Sequence, residues 1–202
     1  MQGVVSFLTN LEAHVIGTRV AIFIDGGYLD WIARHELKQA KIDYGKLSQA
    51  LASGRELLRT YYYHCEPYQS NPPTAEEIER LSKNQAFLAR LNKLPHFEIR
   101  LGKLAYRGRS AEDGKPILVQ KRVDIMLGVD LVLLAVKRTI THAVLVAGDS
   151  DFLPAVEVAR NEGVSVHLYH GVEQNPHKDL WDKCDDRTPI TPAFIKPLLR
   201  SN

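Results

Sequence analysis

Cysteine is nearly missing from this chain: 202 residues contain only Cys65 and Cys184, with no CxxC pair and no finger-type spacing. That argues against a disulfide scaffold and a thiolate zinc site, and for free thiols in a reducing compartment. Long apolar runs are missing too, since nothing approaches the roughly 18 consecutive apolar residues of a membrane span. The segment Met1 to Ile16 carries Glu12 and His14 and lacks a basic leader and an apolar core. It does not read as a signal peptide, and a cytoplasmic location is expected. A large charge of one sign is also lacking, the formal net charge being +2. Net charge alone therefore announces no nucleic-acid partner. A GxGxxG loop is absent as well, which argues against a dinucleotide-dependent redox role.

What is present is an ordinary globular composition, 45% hydrophobic and 25% charged, with a length suited to one α/β domain. One domain over residues 1–202 is expected, with a core at about 19–170 and a C-terminal extension over 171–202. The basic residues are unevenly spread. Arg100, Lys103, Arg107, Arg109, Lys115, Lys121 and Arg122 share one segment, whereas Asp179, Asp182, Asp185 and Asp186 gather near the end. A local basic surface of this kind can contact phosphates.

The periodicity alternates between strands and helices. Val20 to Ile24, Leu57 to His64, Phe97 to Tyr106, His142 to Ala147 and Val164 to Tyr169 read as strands, and Ile117 to Gln120 continues a hairpin. Thr74 followed three residues later by Glu77 forms a capping box that opens a helix running to about Leu94. Arg122 to Lys137 is too long for a strand and reads as a helix. From Ile125 to Val136 only Asp130 is polar, so this helix is expected to be covered on most sides. Leu153 to Glu162 is a further helix, ending at Gly163. Strands alternating with helices imply crossover connections and a mainly parallel sheet.

The chemistry lies at the strand ends. Val144 to Ala147 runs into Gly148-Asp149-Ser150-Asp151, and Val20 to Ile24 runs into Asp25-Gly26-Gly27. Ligands of open α/β sheets collect at the carboxyl ends of strands. Carboxylates crowded there are costly unless a cation neutralises them. Asp124 sits in a helical first turn, where the helix dipole favours negative charge. Asp130 lies six residues on, about 120° away around the helix. Asp124 is thus the better ligand and Asp130 a supporting or structural acid. A simpler role is open to each, since Asp25 can form a turn, Asp149 or Asp151 can cap a helix, and Asp130 can pair with a nearby cation.

Three ordered motifs carry a resemblance: Phe23-Ile24-Asp25-Gly26-Gly27-Tyr28, Lys121-Arg122-Val123-Asp124 with Asp130, and Gly148-Asp149-Ser150-Asp151-Phe152-Leu153-Pro154. Over about residues 19–170 the chain resembles the NYN domain, the LabA-like branch of the PIN-like nucleases. The resemblance implies a PIN-like Rossmannoid three-layer fold, a mainly parallel sheet with helices on both faces, and metal-dependent ribonuclease activity. It places Asp25, Asp124, Asp149 and Asp151 as ligands of Mg²⁺ or Mn²⁺, cations that prefer carboxylate and water. Tyr28 stands where many members carry asparagine.

Ser150 is expected to orient a water or phosphate oxygen, or else to cap a helix. Arg107, Arg109, Lys121 and Arg122 are expected to hold an RNA backbone, and Tyr28 to stack on a base or pack internally. The apolar helices and the C-terminal segment offer surface for a homodimer. Two rival readings stand beside this one. A non-catalytic RNA-binding or scaffold module of the same fold would have lost its acids, yet all are present. A haloacid-dehalogenase-like phosphatase needs a second acid two residues after the first, where this chain has Gly27.

Overall fold

The computed structural model describes residues 17–110, 112, 114 and 116–200. The expectation for Met1 to Ile16, and the place of Lys115 in the basic segment, lie outside the described residues. The chain builds one seven-stranded sheet in the order β4-β3-β2-β1-β5-β6-β7. Its strands are β1 (Arg19–Asp25), β2 (Glu56–Cys65), β3 (Phe97–Arg109), β4 (Pro116–Lys121), β5 (His142–Val146), β6 (Ser165–His170) and β7 (Asp186–Pro189). Every neighbouring pair is parallel except the β3–β4 hairpin.

β1 is central because both of its faces are apolar. Val20, Ile22 and Ile24 point into one layer and Ala21 and Phe23 into the other, and all five are fully buried. The first layer holds α1 (Gly26–His35), α2 (Tyr44–Ala52), α3 (Ala75–Leu91) and the short α7 (Pro192–Ile195). The second holds α4 (Val123–Val136), α5 (Leu153–Asn161) and α6 (Lys178–Lys183). The expected three-layer α/β architecture is thus the observed one.

The capping box of α3 forms as expected. Glu77 N–H donates to the Thr74 hydroxyl at 3.2 Å, and Thr74 N–H donates to the Glu77 carboxylate at 2.9 Å. That helix stops at Leu91 rather than Leu94. β3 runs on to Arg109, beyond the expected Tyr106, because β4 pairs with it to that point. The segment after residue 170 packs against the core. β7 adds to the sheet beside β6, and Leu180, Ile190, Ile195 and Leu198 are buried in the two layers. Cys65 and Cys184 are free and buried.

One expectation is overturned. α4 is not covered on most sides, for Ile125, Val129, Leu133 and Val136 are 71, 58, 45 and 53% exposed. Only the stripe Val123, Leu127, Leu131 and Ala135, at four-residue spacing, is buried against the sheet. A helix in an outer layer meets the sheet through one face, so an apolar opposite face stays outside. No helix among the described residues is long and apolar enough to cross a membrane.

Candidate active site

The sheet changes winding direction between β1 and β5. From β1 the chain builds outward through β2 and β3, and from β5 outward through β6 and β7. A crevice opens at such a switch point beyond the carboxyl ends of the two strands. Asp25 ends β1, and Asp149 follows β5 by three residues. The two acids therefore meet at this crevice from distant parts of the chain.

Asp25 is held by the start of α1. Its Oδ1 accepts from Gly27 N–H at 2.9 Å and from Tyr28 N–H at 3.2 Å, an N-cap that leaves Oδ2 outside those bonds. Gly26 is required because a Cβ there would lie 2.6 Å from Tyr62 Cζ and 2.8 Å from the Tyr63 carbonyl oxygen. Asp149 caps the 3₁₀ turn Ser150–Phe152 in the same manner, its Oδ1 accepting from Asp151 N–H at 3.1 Å. Asp124 stands in the first turn of α4, behind Arg122, whose φ of 78° turns the chain sharply from β4 into the helix.

Burial pushes the Asp25 carboxyl up to about 6. The Tyr28 and Gly27 amides work against that rise, while the charges of Asp124 and Asp149 add to it. Asp124 is likewise raised, by desolvation and then by Asp149 and Asp151. Asp25 and Asp124 thus both feel the charge of Asp149. Among the described residues none of them forms an ion pair with a Lys, Arg or His side chain. Nor do any three His, Cys, Asp or Glu side chains there stand close enough to hold an ion as arranged. The donor chemistry still suits a hard cation, because Mg²⁺ commonly takes one or two carboxylates and completes its shell with water and phosphate.

The crevice has a volume of about 540 Å³ and is lined by Asp25, Tyr28, Asp149 and Ser150 among the expected residues. Asp124 and Asp151 stand outside its lining; the charge of Asp124 reaches Asp25, and that of Asp151 reaches Asp124. Asp130 is elsewhere. Its Oδ2 accepts from the Tyr63 hydroxyl at 2.9 Å and from Arg100 Nε at 3.2 Å, so it ties α4 to β2 and β3. Tyr28 lines the crevice and is otherwise packed inside. It is 9% exposed, and its hydroxyl donates to the Gln174 carbonyl at 2.7 Å and accepts from Gly171 N–H at 3.0 Å.

Arg107, Lys121 and Arg122 are exposed. Arg109 is partly engaged, donating to the Gly114 carbonyl at 2.9 Å. Lys121 stands directly opposite Lys103 on the β3–β4 ladder, a like-charge pair that an anion would relieve.

Trp31, Gln120, Gln174, Asn175 and His177 also line the crevice, and nothing in the local sequence marks them. The last three arrive through long-range bonds. Glu36 accepts from the N–H groups of Val172 and Gln174, and His177 N–H donates to the Gly148 carbonyl at 2.9 Å. Only the tertiary contacts between α1 and the segment after β6 reveal them.

Comparison with known proteins bears on the fold and the family. A crystal structure of a protein of unknown function from Vibrio parahaemolyticus, VPA0982, superposes with a TM-score of 0.63 at 19% identity. The match covers 89% of this chain and 96% of that one, and it establishes the shared fold. The uncharacterized protein y4oD of Sinorhizobium fredii is 47% identical over 49 residues, 24% of this chain and 23% of that protein. The chain therefore spans about a quarter of that relative's length. The profile of the NYN domain matches residues 19–191, from β1 past the end of β7. The chain belongs to the NYN-domain family and carries its PIN-like nuclease fold.

Proposed function

We propose that the protein is a metal-dependent ribonuclease that hydrolyses RNA phosphodiester bonds at the β1–β5 crevice. The observation that carries this reading is the meeting of Asp25 and Asp149 at the switch point with no cationic side chain paired to them. Asp25, Asp124, Asp149 and Asp151 would hold Mg²⁺ or Mn²⁺. Such a cation would ease deprotonation of a water for attack on phosphorus and would neutralise charge on the departing oxygen.

The chain's own residues supply position. Burial and like charge make Asp25 costly to ionise without a cation, so this carboxylate favours cation binding at neutral pH. Asp149 and Asp25 each spend one oxygen on backbone N–H groups, which fixes the direction of the other. Ser150 lines the crevice and can orient a water or a phosphate oxygen. Lys103, Arg107, Lys121 and Arg122 hold the phosphate backbone without reading sequence.

A second reading is an RNA-binding module that does not cleave, since among the described residues no three acids close on one point. The test is cleavage of labelled single-stranded RNA by purified protein in Mn²⁺, Mg²⁺ or EDTA, alongside Asp149→Asn. Cleavage that needs the cation and is lost in Asp149→Asn supports the nuclease. Metal-independent cleavage that survives in Asp149→Asn indicates a contaminant, and binding without cleavage selects the second reading.

A further inference from the structure

Beside the acidic crevice lies a larger cavity, of about 940 Å³, bounded by α1, α3, the end of β2 and the β3–β4 hairpin. Ligand cavities for organic molecules commonly measure about 300–1,000 Å³. Gln120 lines both spaces, so the two are neighbours across a single side chain. Cys65 gives a second link. It lines the cavity, and its thiol is raised by burial and, to a lesser degree, by the charges of Asp124 and Asp25.

The walls are of three kinds. The floor is apolar and aromatic, with Tyr44, Phe87, Leu104 and Leu118. The rim carries the cations Arg34, Lys41, Arg80, Lys83, Arg90 and Arg200, against the carboxylates of Asp30, Glu76 and Glu77. Glu77 is committed to the Ser70 hydroxyl and the Thr74 amide, and Arg34 reaches Asp30 at 3.7 Å. Two polar atoms in the wall, Asn84 Oδ1 and His64 Nδ1, are buried without a hydrogen-bond partner. Buried polar groups are ordinarily satisfied, so a pair of orphans in one cavity calls for a ligand that satisfies them. At the mouth, Tyr68 stacks on Tyr106 with centroids 5.9 Å apart and planes 18° from parallel, and Tyr106 is 49% exposed.

We infer that this cavity receives an unpaired nucleotide of a single-stranded RNA whose neighbouring phosphate lies at the acidic crevice. An aromatic floor, a polar edge and a cationic rim are the three elements that single-strand recognition uses, for stacking, for base edges and for phosphates. Asn84 Oδ1 accepts from an exocyclic amine or ring N–H of the base, and His64 Nδ1 bonds its edge. Arg80, Lys83 and Arg90 on α3 lie along the backbone path. The Tyr106 face stacks the next base outward. A duplex cannot enter, because its bases are already paired and stacked on one another. This inference rests on the ribonuclease reading for the identity of the polymer, and it adds the requirement for an unpaired residue beside the scissile bond.

The test is binding of a short fluorescein-labelled single-stranded RNA of mixed sequence, read by anisotropy in EDTA, so that cleavage plays no part. The full chain is compared with Asn84→Leu, Arg90→Glu and Tyr106→Ala, with thermal unfolding of each recorded. Asn84→Leu is the decisive variant. It removes an orphan buried oxygen, so a purely structural role predicts equal or higher stability and unchanged binding. The inference predicts about tenfold weaker binding at equal or higher melting temperature, the loss expected for one base contact. Arg90→Glu and Tyr106→Ala should weaken binding similarly, and the same sequence as a duplex should bind less tightly than the single strand. Wild-type binding retained by Asn84→Leu and Arg90→Glu, equal binding of the duplex, or no binding of single-stranded RNA by wild type would each overturn it. Failure of the nuclease reading appears separately, as binding that responds to these variants without cleavage in Mn²⁺.

Discussion

The ring of Tyr28 occupies the space that a side chain on Gly148 would need. A Cβ at Gly148 would lie 2.5 Å from Tyr28 Cε2 and 3.1 Å from two further ring atoms. One residue sits three positions after Asp25 and the other immediately before Asp149, so this contact sets the two acidic strand ends against each other. Gly148→Ala must push the ring aside. The expected cost is about 1–3 kcal/mol, as for overpacking elsewhere, together with a loss of metal-dependent cleavage larger than the stability loss explains. Urea unfolding and a cleavage assay check both parts. Unchanged stability and activity would show that the ring moves freely.

Tyr28→Phe keeps the packing and removes two hydrogen bonds, to the Gln174 carbonyl and from Gly171 N–H. Stability should fall by about 1–3 kcal/mol, since the Gly171 amide is then left buried and unpaired. Hydrogen exchange at Gly171 should rise at the same time. An exchange rate equal to that of wild type would sink this account.

The Asp25 carboxyl titrates near 6 in the folded chain against 3.8 in the unfolded one. The folded state therefore holds this proton more tightly. The metal-free protein is most favoured below about pH 4, loses stability as pH rises to about 6, and gains no further penalty above. Two units correspond to about 3 kcal/mol at most. Asp25→Asn keeps an oxygen for the Gly27 and Tyr28 amides and removes the charge. In EDTA it should be more stable than wild type at pH 8, with the difference fading as pH falls from 6 towards 4. Urea midpoints of both proteins across that range measure it, and a difference independent of pH would refute the assignment.

Asp130 accepts from Tyr63 and Arg100 and lies outside the crevice. Asp130→Asn should thus cost about 1–2 kcal/mol of stability, since one charged partner remains hydrogen-bonded, while cleavage per folded molecule stays near wild type. Asp149→Asn should do the reverse, losing at least about a hundredfold in rate with little change in unfolding. If Asp130→Asn matched Asp149→Asn in both assays, the separation of the two roles would be wrong.

Along α4, Val129 is 58% exposed and Leu131 fully buried. Val129→Asp should change stability by about 0.5 kcal/mol or less, whereas Leu131→Asp buries an unpaired charge and should prevent folding. Circular dichroism and thermal melts distinguish the two.

Periodicity and punctuation determined much of this protein. Apolar β-branched runs specify β1 and β5, and Thr74 with Glu77 specifies the start of α3, because strand period and capping are properties of a few consecutive residues. The acids at 25, 124 and 149 were legible for the same reason, each standing at the end of a recognisable element. Tertiary structure decided the rest. The all-apolar stretch from Ile125 to Val136 does not tell which face is buried, because that depends on the single stripe that meets the sheet. Asp130 was assigned by Tyr63 and Arg100, and Tyr28 by Gly148, Gly171 and Gln174, all distant in sequence. Gln120, Asn175 and His177 joined the crevice only through a hairpin and a loop folded across the strand ends. Local sequence sets what each segment becomes, whereas the company a side chain keeps is fixed by contacts between segments that no local pattern contains.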